Sequence, residues 1–144
     1  MKRICALLLA AVPLLGSADE VVKHEFLYQF LAGSYVLIGK KPGSDTTYLG
    51  KVVLDHEADH LLVERVIDGI TLTGEGVIEH ALGADQADVL RVRFIEDGVS
   101  YEATYLWSSD LDNYARLTGY LYRVDGSDES PGLEALFIDH SLLR

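Results

Sequence analysis

His56-Glu57-Ala58-Asp59-His60 has the spacing His-Glu-x-x-His. On a helix, His56 and His60 would share one face and could hold a zinc ion. Glu57 would then serve as general base toward a metal-bound water, which is the chemistry of a metal-dependent hydrolase. Glu75 or Glu79 could supply a third ligand. The flanking sequence argues against a helix. "TTYLGKVVL" before the five residues and "HLLVERVI" after them read as strands, which makes the five a hairpin tip. Asp59 is charged where such a helix packs an uncharged residue, and Val63 stands where the longer metal-binding extension needs glycine. The expectation is an acidic hairpin turn, with no metal assigned. His56 and His60 remain candidates for an incidental surface metal shared with Asp55 or Asp59.

Arg65 poses a second chemical question. In "HLLVERVI", Glu64 and Asp68 should face water, which sends Leu61, Val63, Arg65 and Ile67 to the opposite face. A buried arginine is costly unless it is paired. A ligand carboxylate could pair with it, and so could a residue of the chain such as Glu25. Rings are available to line a pocket beside it. Tyr101, Tyr105 and Trp107 alternate on one face of their run, Phe94 lies on the preceding run, and Tyr35 opens the first. Tyrosine and tryptophan combine an apolar body with a polar tip, which suits an aromatic or amphiphilic ligand. "DLDN" at 110–113 begins like a calcium loop, but Tyr114 occupies a ligand position, so it reads as a turn. No serine nucleophile elbow and no phosphate-cradling glycine loop is present.

These residues need elements to position them. Lys2 and Arg3, the apolar stretch Ile4–Leu15 and the small residues Gly16–Ala18 have the form of a secretory signal cleaved after Ala18. The only cysteine, Cys5, falls inside that segment, so neither a disulfide nor a lipid anchor at the cut is expected. The product, residues 19–144, is expected to be one domain, periplasmic or secreted. Formal net charge is −11, and loss of Lys2 and Arg3 with the leader makes it −13. A chain so acidic, without a lysine- or arginine-rich run, is a poor partner for nucleic acid or an anionic membrane. No later stretch is apolar for long enough to span a bilayer as a helix. Val22, Phe26 and Phe30 recur every four residues, which predicts a short helix over 21–32.

From Gly33 the period changes to two. Eight runs follow, separated by turn residues, with Asp68-Gly69 and Asp97-Gly98 as tight-hairpin signals. No connection has room for a crossover helix, so neighbouring runs should pair antiparallel. Closure into an eight-stranded up-and-down barrel would remove both free edges. Alternation places Leu90, Val92 and Phe94 inside, with Tyr101, Ala103, Tyr105 and Trp107, and also Leu72, Gly74, Gly76 and Ile78. Arg91 and Arg93 lie outside, opposite Glu102. In the last run Leu133, Ala135 and Phe137 are expected inside. The seventh run leaves Leu117 and Leu121 competing with Tyr120 and Tyr122.

A helix, then Gly33-Ser34-Tyr35 opening a single antiparallel meander, resembles the calycin barrels: lipocalins, fatty-acid-binding proteins and avidins. Tyr35 stands where lipocalins carry tryptophan in Gly-x-Trp. The resemblance implies an all-β barrel that binds a small apolar or amphiphilic ligand in its interior, without an obligatory cofactor. The ligand-contacting residues expected on this reading are Tyr35, Arg65, Phe94, Tyr101, Tyr105 and Trp107. Two other readings stay open: the hydrolase that uses His56, Glu57 and His60, and a solid barrel whose outer face binds or inhibits another protein.

Overall fold

The computed structural model describes residues 18–81, 87–107 and 115–143. The leader and the "DLDN" turn therefore lie outside the described residues, apart from Ala18. Helix α1 (Ala18–Leu31) precedes eight strands: β1 (Gly33–Lys40), β2 (Thr47–Glu57), β3 (His60–Ile67), β4 (Ile70–His80), β5 (Asp88–Glu96), β6 (Val99–Trp107), β7 (Leu117–Arg123) and β8 (Gly132–Ile138). Each strand pairs antiparallel with the next, and β8 returns to β1, closing the barrel. The expected architecture is therefore observed. The hairpin signals act as the sequence implies. Asp68-Gly69 and Asp97-Gly98 take positive φ at both central positions, 51° and 78° in the first and 51° and 77° in the second, as a type I′ turn requires.

The interior follows the alternation on β3, β4, β5 and β6. Leu61, Val63, Arg65 and Ile67 are buried, as are Ile78, Leu90, Val92, Phe94, Tyr101, Ala103 and Tyr105. On β7 the contest resolves toward Leu117 and Leu121, with Tyr120 and Tyr122 outside. On β8 the expectation is inverted. Gly132, Glu134 and Leu136 point inward, whereas Leu133 is 45% exposed and Ala135 and Phe137 are only partly covered. The cause lies in the register. Leu136 opposes Leu117 on β7 and Leu37 on β1, both fully buried, so β8 must turn that face inward and carry Glu134 with it.

Helix α1 covers one end of the barrel. Its buried face is Tyr28 and Leu31, with Leu27 and Phe30 packed at the edge. The expected stripe is thus rotated, and Phe26 is 67% exposed. Polar tips fix the rotation. Tyr28 hydroxyl accepts the Ile78 N–H at 3.1 Å, and Tyr35 hydroxyl donates to the Leu31 carbonyl at 2.7 Å. At the opposite end, Lys41 in the β1–β2 loop reaches Glu96 at the end of β5, with Nζ–carboxylate distances of 2.9 and 3.0 Å. Outside, Arg91 and Arg93 bracket Glu79 and Glu102 at 2.8–3.3 Å, the cross-strand pairing that alternation implies. Exposed pairs of this kind each add only about 0–1 kcal/mol.

Candidate functional site: a buried ion pair in the barrel

One row of the sheet builds the site. Register places Tyr48 (β2) beside Gly39 (β1), Gly39 beside Glu134 (β8), Glu134 beside Gly119 (β7), and Gly119 beside Tyr105 (β6). The row reads Tyr-Gly-Glu-Gly-Tyr across five strands, all turned inward. Each glycine leaves space that a side chain would fill. A Cβ at Gly39 would lie 2.7 Å from Cζ of the Tyr48 ring. Tyr48 therefore lies over Gly39 and donates its hydroxyl to Glu134 Oε1, while Tyr105 donates to Oε2.

Arg65 enters from β3, across the lumen. Its Nη1 donates to Glu134 Oε2 at 3.1 Å and its Nη2 to Oε1 at 2.5 Å, a two-pronged pairing. Nη1 also lies 3.3 Å from the Tyr105 hydroxyl. The guanidinium carbon sits 4.3 Å from the centre of the Phe94 ring, in cation–π contact. Phe94 in turn stacks on Tyr101 at 5.5 Å and 13°. The Arg65 and Glu134 side chains are 1% and 0% exposed. One donor is left over: Arg65 Nε is buried and has no hydrogen-bond partner among the described residues.

The protonation states follow from these contacts. Burial raises the Glu134 carboxyl, but the Arg65 charge and the donated hydrogen bonds outweigh it, and its pKa falls below the ordinary 4.5. Burial and the Glu134 charge push the Tyr48 and Tyr105 hydroxyls well up, so both stay protonated donors. Burial lowers Arg65, and the Glu134 charge more than restores it. Because folding depresses the Glu134 pKa, its contribution to stability is complete above about pH 4.5. That contribution is lost as pH falls through the lower folded value. Urea midpoints measured from pH 6 downward should therefore fall in the acid range. Glu134→Gln should start lower and fall less; an identical pH dependence in both proteins would contradict this assignment.

The expected site residues do not all converge. Arg65 contacts both Tyr105 and Phe94, and Tyr101 joins through Phe94. Tyr35 is committed to the Leu31 carbonyl beneath α1. Trp107, opposite Leu117, is partly buried toward the same end. Glu134 and Tyr48 were missed. Glu134 was hidden by the inverted face of β8, and Tyr48 carried no signal beyond its type. Glu25, the partner weighed for Arg65, is exposed on α1.

"HEADH" is a hairpin and not a helix. His56 and Glu57 end β2, Ala58 and Asp59 form the turn with Ala58 at φ 46°, and His60 opens β3. His56 stacks on Tyr28 of α1 at 5.8 Å and its Nε2 lies 3.0 Å from the Ala58 carbonyl oxygen, while His60 contacts Asp59 at 3.2 Å. Among the described residues, no group of three or more His, Cys, Asp or Glu side chains is placed to hold a metal ion.

No family model matches the chain, and no curated protein matches it. The class is thus defined by architecture: a closed eight-stranded antiparallel barrel with a short helix before its first strand, consistent at that coarse level with a calycin-like barrel. No helix among the described residues is long and apolar enough to cross a membrane.

Proposed function

We propose that the protein is an exported barrel that binds a small, uncharged amphiphile in its interior, against Arg65, Phe94, Tyr101 and Tyr105. The observation that carries this reading is the buried Arg65–Glu134 pair, whose guanidinium Nε–H has no hydrogen-bond partner among the described residues. A buried ion pair is a weak way to stabilise a fold, because desolvation offsets much of the attraction. An unpaired buried donor adds a further cost. Both are accounted for if Nε–H is kept for a ligand acceptor while Phe94 and Tyr101 receive its apolar body. The pairing also revises the ligand class. A carboxylate could engage both Arg65 prongs only by displacing Glu134, and two carboxylates would then share one cation. Since Glu134 already neutralises Arg65, an uncharged ligand fits better. Export to the periplasm or exterior belongs to this reading through the leader-like segment alone.

The test uses two probes with one aromatic skeleton. 6-Propionyl-2-dimethylaminonaphthalene is uncharged and offers a ketone oxygen as acceptor, and 1-anilinonaphthalene-8-sulfonate carries a sulfonate on the same naphthalene. The uncharged probe should show saturable fluorescence enhancement and bind more tightly than the sulfonate. Arg65→Met/Glu134→Leu, which removes both charges together, should weaken it at least tenfold, or about 1.4 kcal/mol. No uptake of the uncharged probe, or equal uptake by wild type and variant, overturns the reading.

A second reading is favoured by the outer wall. Val36, Ile38, Leu106, Tyr120 and Leu133, on β1, β6, β7 and β8, are all at least one-third exposed. Such an apolar face fits the interaction-module alternative. It predicts a mass that rises with concentration, or a protein partner, and loss of either in Tyr120→Lys/Leu133→Lys with probe uptake unchanged.

A further inference from the structure

The β4–β5 ladder stops early. It runs from His80 opposite Asp88 to Gly74 opposite Phe94. Beyond that pair β4 continues back to Ile70 and β5 onward to Glu96, and each stays paired with its other neighbour. The same register would set Thr73 opposite Ile95 and Leu72 opposite Glu96, yet neither pair forms. The β3–β4 and β5–β6 hairpins therefore run side by side toward their tips without joining. Gly74 is the pivot: a Cβ there would lie 2.4 Å from the Arg93 carbonyl oxygen, so the strands are tightly apposed where they begin to part.

A groove of about 960 Å³ occupies this splay. Thr71, Thr73 and Ile95 form its lips, and inward-facing Leu72, Phe94 and Tyr101 form its floor. The floor is the stacked pair whose Phe94 ring carries the Arg65 guanidinium on the barrel side. The ends of the barrel are occupied differently, one by α1 and the other by the Lys41–Glu96 pair reaching across from the β1–β2 loop. His60, Glu75 and Arg93 line the outer reach of the groove, but where the strands part Thr71, Thr73 and Ile95 present hydroxyl and apolar groups, which an uncharged amphiphile can cross at little desolvation cost.

We propose that the splay between β4 and β5 is the entrance to the interior site, with Phe94 and Tyr101 as the inner gate. This rests on the interior-ligand reading above. Ligand slides between Thr73 and Ile95, the Phe94–Tyr101 stack parts, and the ligand's polar end meets Arg65 behind it.

Kinetics separate a route from a site. A residue on the route changes the rates of entry and exit by one factor and leaves Kd unchanged, whereas a residue of the site changes Kd. Thr73→Trp/Ile95→Trp narrows the mouth at two exposed positions. In stopped-flow mixing with 6-propionyl-2-dimethylaminonaphthalene, both rates should fall at least tenfold at constant Kd. Ile95→Ala, which widens the mouth, should raise both, and Phe26→Trp on the exposed face of α1 should change neither. Wild-type rates in the double variant overturn the entrance, as does a changed Kd at an unchanged entry rate; in both cases the interior site stands. Failure of the wild-type protein to take up the probe removes the site and the entrance with it.

Discussion

Glu134→Leu is expected to lower the free energy of unfolding at pH 7 by about 3–5 kcal/mol, the usual cost of removing one partner from a buried ion pair. The loss exceeds that of any truncation on the outer wall, because Arg65 keeps its charge while only 1% of its side chain is exposed. Tyr48 and Tyr105 lose their acceptor at the same time. Arg65→Met/Glu134→Leu should recover more than half of the loss despite carrying an extra substitution. It removes both charges and fills the space with apolar groups. The remaining deficit comes from the two hydroxyls, and adding Tyr48→Phe and Tyr105→Phe should shrink it further. Urea unfolding of the wild type, both single variants and the double variant gives the coupling directly. Additive losses would mean that the pair does not act as a unit and would weaken the site built on it.

The barrel was legible in the sequence because its signals were local and repeated. Each strand announced itself by period two, and Asp68-Gly69 and Asp97-Gly98 set hairpins whose geometry follows from two residues. The hairpin nature of "HEADH" was legible for the same reason, since the strands on both sides left no room for a helix. Arg65 could be sent inward because Glu64 and Asp68 fixed the other face. Its partner could not be found this way. "GLEALFI" alternates apolar residues on both faces, and an isolated strand gains by turning its only carboxylate outward. Only closure against β1 and β7, where Leu136 meets Leu37 and Leu117, decides the face. The rotation of α1 was hidden similarly, because Phe26 and Phe30 looked like a stripe until Tyr28 found the Ile78 N–H on a strand some fifty residues away. The row Tyr48-Gly39-Glu134-Gly119-Tyr105 draws one residue from each of five strands, and no window of sequence contains it.

That row makes Gly119 the most sensitive small residue of the wall. A Cβ at Gly119 would lie 2.0 Å from the Thr104 carbonyl oxygen and 2.7 Å from its carbon, both backbone atoms of the paired strand. No rotamer change can relieve such a clash. β7 must move away from β6, stretching the ladder beside Tyr105 and displacing Glu134 from its donors. Gly119→Ala should therefore cost about 3 kcal/mol, the upper end for overpacking. Gly39→Ala meets the Tyr48 ring instead, which can swing aside, so its cost should be nearer 1–2 kcal/mol. The swing takes the Tyr48 hydroxyl away from Glu134. Tyr48→Phe should accordingly destabilise the wild-type protein by about 1 kcal/mol and the Gly39→Ala protein hardly at all. Denaturant midpoints of the four single and double variants decide the matter. A Gly39→Ala loss equal to that of Gly119→Ala, or a Tyr48→Phe effect unchanged by Gly39→Ala, would show that Tyr48 does not reach Glu134 over the glycine.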